Sequence, residues 1–138
     1  MDELYKEVIL DHYKSPRNKR PLSGATISLH KNNPLCGDEI TIHAKLDGEA
    51  VREVTFEGQG CSISQASASM LTEAVAGRPL ADAEGLAVSF RSMMEGAIDP
   101  DEDTLGDLVA LKGVVKYPVR IKCAVLAWDV LQDALKGS

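Results

Sequence analysis

An α+β fold, with a three-stranded antiparallel sheet and helices packed on one face, is what the 138-residue sequence predicts. Three observations point there. Residues 39–46 alternate: Ile40, Ile42, Ala44 and Leu46 interleave with Thr41, His43 and Lys45, as in a strand with one buried face. Asp47-Gly48 then supplies a hairpin signal before the next extended run. From Ser62 onward the apolar spacing turns helical, so strands and helices segregate along the chain.

Each element has its own signature. Residues 2–13 place Leu4, Tyr5, Val8, Ile9 and His12 on one helical face. Ser15-Pro16 ends that helix, because a proline drives its predecessor out of the α region. Residues 25–31, 39–46 and 51–58 read as three strands. The run 62–77 opens on serines suited to an N-cap and closes at Gly77. Between 78 and 113, helical patches at 82–96 and 101–111 mix with glycines and acids. The last helix starts near Pro118, a residue suited to a first helical position, and runs to about Lys136. With no repeat, linker or low-complexity stretch, residues 1–138 form one domain.

Composition narrows the function. A net charge of −6 and 4% aromatic residues disfavour nucleic-acid binding, which needs clustered cations and stacking platforms. No apolar run approaches the ~20 residues that span a bilayer. The acidic, patterned start is unlike a signal peptide, so a cytoplasmic protein with reduced cysteines is expected.

The chemistry lies in three cysteines: Cys36 in "NNPLCGDEI", Cys61 in "GQGCSIS" and Cys123 in "VRIKCAVLAW". Gly48 sits near the midpoint between Cys36 and Cys61, so strands pairing about that turn bring the two thiols to the same end. Both lie beside glycines, where the backbone can bend around a ligand. Cys61 also precedes a helix, whose N-terminal dipole favours a thiolate. Cys123 has two readings. On a stripe with Val119, Leu126, Ala127 and Val130 it is a small core hydrophobe. Yet Lys116, Arg120 and Lys122 crowd the start of that helix, where the dipole disfavours cations, and an anionic site nearby would offset them. Zinc held by Cys36, Asp38, Cys61 and Cys123 is such a site, with a ligand set that zinc accepts. His12, His30 and His43 read as structural or solvated residues rather than ligands.

With those motifs in view, the chain resembles the IscU/SufU family of iron–sulfur cluster assembly proteins (NifU N-terminal-like) over almost its whole length. The resemblance rests on "LYKEVILDHYKSPRN", "NPLCGDEI", "FEGQGCSISQASASML" and "YPVRIKCAVLAW". It implies a SufE/NifU-like fold and convergence of Cys36, Asp38, Cys61 and Cys123. IscU-type scaffolds carry a histidine immediately before the third cysteine, where this chain has Lys122, and the stretch from Cys61 to Cys123 is extended. Both departures are similar to the SufU branch, which binds zinc and accepts sulfur from a PLP-dependent cysteine desulfurase. Arg120 matches a SufU-branch arginine beside the zinc.

Two functions follow from the resemblance. In the first, a zinc-dependent sulfur carrier or sulfurtransferase, Cys36 accepts persulfide sulfur. Arg120 and Lys122 balance charge and face the partner. In the second, a scaffold builds a [2Fe–2S] cluster on Cys36, Asp38, Cys61 and Cys123 and passes it to apo-proteins. A downstream assembly scaffold is the other expected recipient of the sulfur. The bland alternative is a structural zinc module.

Overall fold

The computed structural model of the protein describes residues 3–33, 37–97 and 102–136. It opens with helix α1 (Glu3–Lys14), followed by strands β1 (Ile27–Asn33), β2 (Asp38–Asp47) and β3 (Ala50–Gln59). Helices α2 (Ser62–Val75), α3 (Leu80–Met94) and α4 (Glu102–Leu105) come next, then a 3-10 segment (Gly106–Lys116) and helix α5 (Pro118–Lys136).

The strands form one antiparallel sheet in the order β1-β2-β3. On β2, Ile40, Ile42 and Ala44 are fully buried while the residues between them are partly exposed, as their alternation predicts. Helix α5 covers β1 and β2, and α2 and α3 pack on β3. Between the layers, Phe90 of α3 stacks on Trp128 of α5 with ring centroids 5.0 Å apart. Both rings are fully buried, so α3 and α5 are locked as a pair.

Strand pairing fixes one end of the sheet as the place where the site forms. Ile42 faces Phe56 and Glu39 faces Gln59, so Asp38 and Gly60 emerge side by side at the open end of the hairpin. On the other side of β2, Asp38 pairs with Asn33, and the Gly37 N–H donates to the Asn33 carbonyl at 2.9 Å. A slip in register between Lys45 and Leu46 lies at the opposite end and leaves this one regular.

Four expectations are corrected. Helix α2 has Cys61, not a serine, at its N-cap. The patch at 101–111 is α-helical only from Glu102 to Leu105, because Gly106 adopts φ +55° and the chain continues as 3-10 turns. Leu4 is 63% exposed, as the first turn of α1 runs past the core. Val119 is 58% exposed, so the buried stripe of α5 begins at Cys123 rather than one turn earlier. No helix among the described residues is long and apolar enough to cross a membrane.

Candidate metal centre

Asp38 stands at the first position of β2 and is 1% exposed. A carboxylate so buried needs compensation. Its Oδ1 accepts the backbone N–H of Cys61 at 2.8 Å, and the Cys61 thiol points at Oδ2 from 3.9 Å. The carboxylate therefore ties the start of β2 to the start of α2. Gly60 permits this approach: a Cβ there would lie 2.2 Å from Asp38 Oδ1 and 2.9 Å from Asp38 Cα. Its φ of +148° also favours glycine.

Cys61 is half-buried at the N-cap of α2, and Ser64 Oγ donates to its carbonyl at 3.1 Å. Cys123 arrives from the other side. It is fully buried on α5, and its thiol donates to the Val119 carbonyl at 3.8 Å. Next to Cys123, the Ala124 carbonyl accepts from Ser67 Oγ at 2.6 Å, which fixes α5 against α2. The outcome is a cluster in which one carboxylate oxygen of Asp38 and the sulfurs of Cys61 and Cys123 all lie within 4.8 Å of one another.

Arg120, exposed on the first turn of α5, closes the cluster. Its guanidinium is held above its ordinary pKa, first by the charge of Cys61 and then by hydrogen bonds to the Cys123 and Cys61 sulfurs. The guanidinium thus lies against both sulfurs. Lys122 is exposed on the same turn. The expected fourth donor, Cys36, lies outside the described residues; in the chain it stands two positions before Asp38.

The histidines lie apart from this cluster. His12 is buried, with Nδ1 2.8 Å from Ser69 Oγ; His43 joins Ser28 and Glu57, and His30 joins Thr41. Sequence reasoning brought Asp38, Cys61 and Cys123 together but missed two supporting residues. The signal for Gly60 was present in "GQGC", a glycine between a strand end and a cysteine. Ser67 left no signal, since its acceptor is a backbone carbonyl 57 residues away.

Residues 4–124 match the NifU-like N-terminal domain model. The chain belongs to that family. It is 49% identical to the zinc-dependent sulfurtransferase SufU of Bacillus subtilis (strain 168), over 98% of this chain and 91% of that protein. To the iron–sulfur cluster assembly scaffold protein IscU of Streptococcus pyogenes serotype M1 it is 41% identical, over 100% of this chain and 86% of the other. Among solved structures, an iron–sulfur cluster assembly scaffold protein for the SUF system from Fervidobacterium islandicum AW-1 superimposes with a TM-score of 0.89. Its identity is 35%, over 94% of each chain.

Proposed function

We propose that this protein is a zinc-dependent sulfur acceptor of iron–sulfur cluster assembly, with Cys36 receiving sulfur from the persulfide of a PLP-dependent cysteine desulfurase. The observation that supports it most is the cluster of Asp38, Cys61 and Cys123 under the Arg120 guanidinium. Two thiols and a carboxylate fit zinc, and a cation beside them suits a ligand set whose charge exceeds that of the ion. With Cys36 they make a four-ligand set. Bound zinc would keep its thiol ligands deprotonated.

The remaining work falls to the chain itself. Asp38 anchors the Cys61 backbone and α5 buries Cys123, so both thiols are held by the fold. Cys36, two positions before Asp38 in the sequence, is the thiol assigned here to meet the partner. Its thiolate attacks the outer sulfur of the desulfurase persulfide. A new S–S bond forms on Cys36, the S–S bond of the desulfurase breaks, and its cysteine leaves as a thiolate. An acceptor thiolate then removes the sulfur from Cys36 by the same exchange. Arg120, against the cluster, and Lys122, exposed two residues on, present positive charge to the partner.

The test is mass spectrometry of the protein after incubation with a cysteine desulfurase and cysteine, without reductant. An added sulfur on the peptide bearing Cys36 is expected. Sulfur found mainly on Cys61 or Cys123, or a Cys36→Ala variant that stimulates the desulfurase as well as the parent, overturns the assignment. The 41% identity to an IscU scaffold favours a second reading, assembly of a [2Fe–2S] cluster as cargo on the same four residues. Anaerobic loading with iron and sulfide, followed by transfer to an apo-acceptor, distinguishes the two.

A further inference from the structure

The two cysteines of the cluster differ in how far a reagent can reach them. Cys61 is half-buried at the N-cap of α2, whereas Cys123 is fully buried on α5. Both are reduced, and their sulfurs lie within 4.8 Å of each other. The backbones that carry them are already tied in place. Cys61 N–H donates to Asp38 at 2.8 Å, and the Ala124 carbonyl, next to Cys123, accepts from Ser67 of α2 at 2.6 Å. The Arg120 guanidinium hydrogen-bonds to both sulfurs, so the two thiols face a common point. A disulfide needs about 2.05 Å between sulfurs. The approach falls to the half-exposed Cys61 side chain, with the helices left where they are.

We propose that Cys61 and Cys123 are a modification site, a dithiol pair that low-molecular-weight disulfides oxidise to an internal disulfide. Burial assigns the roles. A dissolved disulfide can touch Cys61 but not Cys123. The Cys61 thiol gives its proton to solvent, and its sulfur attacks one sulfur of the reagent. A mixed disulfide forms, the reagent's S–S bond breaks, and one small thiolate leaves. Cys123, likewise deprotonated, then attacks the Cys61 sulfur from the buried side. The Cys61–Cys123 bond forms, the mixed disulfide breaks, and the second small thiolate leaves. Each departing thiolate takes up one proton. Two protein thiols are thus oxidised while one small disulfide is reduced to two thiols.

The consequence is a coupling between oxidation and metal loss. The thiolate is the form that binds metal, so one disulfide withdraws two sulfur donors from the ligand set at once. An ion held by the reduced form protects it by mass action. This coupling rests on the zinc reading given above; the pairing of the two cysteines does not. Cys36 stays a thiol in the oxidised chain, which separates this modification from sulfur loading. Pairing removes two hydrogens from the protein, whereas sulfur acceptance adds an atom to Cys36.

The intact protein, as isolated and after chelator treatment, is incubated with oxidised glutathione under nitrogen. Peptide mapping without reductant should link the Cys61 and Cys123 peptides and find Cys36 open to alkylation. Cys123→Ala should stop at a glutathione adduct on Cys61, and Cys61→Ser should leave Cys123 unmodified. Three thiols that all persist, a bridge that includes Cys36, or Cys123 modified in Cys61→Ser overturns the pairing. If Cys123→Ala does not fold, the peptide map of the parent still decides. In the zinc-loaded protein each disulfide should release one zinc, and chelation should speed pairing by at least about tenfold. Pairing without zinc release would keep the modification site and overturn the zinc assignment instead.

Discussion

Cys61 and Cys123 meet at one end of the sheet but are held there by different contacts. Cys61 sits at a helix start, half-exposed, and its place is set by local polar ties, chiefly from its N–H to Asp38, with Gly60 making room for that approach. Cys123 is fully buried in the middle of a layer, placed by the packing of α5 on β1, β2 and α2 and by the Phe90–Trp128 stack. One residue depends on a few local polar contacts, the other on a distributed core. The difference teaches where the centre is fragile: a small change beside Asp38 should disturb it more than a larger loss of polar contact beneath α5.

The largest effect should come from removing both thiols. A Cys61→Ser, Cys123→Ser double variant is expected to lose zinc entirely, as read by metal analysis of the purified protein. Full retention would mean that the metal sits elsewhere. Next comes Gly60→Ala, which forces a Cβ to 2.2 Å from Asp38 Oδ1. It should cost about 1 to 3 kcal/mol in thermal or denaturant unfolding. Chelator competition should show zinc held about tenfold less tightly, the scale of lost positioning contacts. Ser67→Ala removes the hydrogen bond to the Ala124 carbonyl and should cost about 1 kcal/mol with zinc content unchanged. If it released zinc as readily as Gly60→Ala, the contrast between the two cysteines would fail. The smallest effect is expected for Lys122→Ala: an exposed side chain outside the ligand set, with zinc stoichiometry near the parent. Outright loss of zinc would give Lys122 a direct part in holding the centre.

Much of this was legible because local rules and global fold agree. The alternation in β2, the turn at Asp47-Gly48 and the start of α5 at Pro118 are each set by neighbouring residues, and the structure has them where the pattern places them. The pairing of Asp38 with Cys61 also follows from the hairpin, since register alone brings their positions together. What was not legible depends on contacts across the chain. Nothing near Val119 marks it as exposed; the angle at which α5 meets α2 and the sheet decides that. Nothing near His12 names Ser69, 57 residues away, as its partner. The 3-10 segment was read as helical because its apolar spacing is helical; one glycine at φ +55° changed its geometry without changing the pattern.

Because Asp38 and Cys61 lie at the open end of one hairpin, they become neighbours as soon as β2 and β3 zip together. Cys123 must wait for a far longer loop to close, and closure entropy grows with loop length. During folding the chain therefore passes through a stage with a half-built ion trap, whose completion reports that α5 has docked. An ion that engages all the donors is bound by the finished core and not by its precursor, and its binding free energy counts toward the native state alone. Metal uptake in a refolding experiment is then a clock for the last long-range step, readable without any probe attached to the protein.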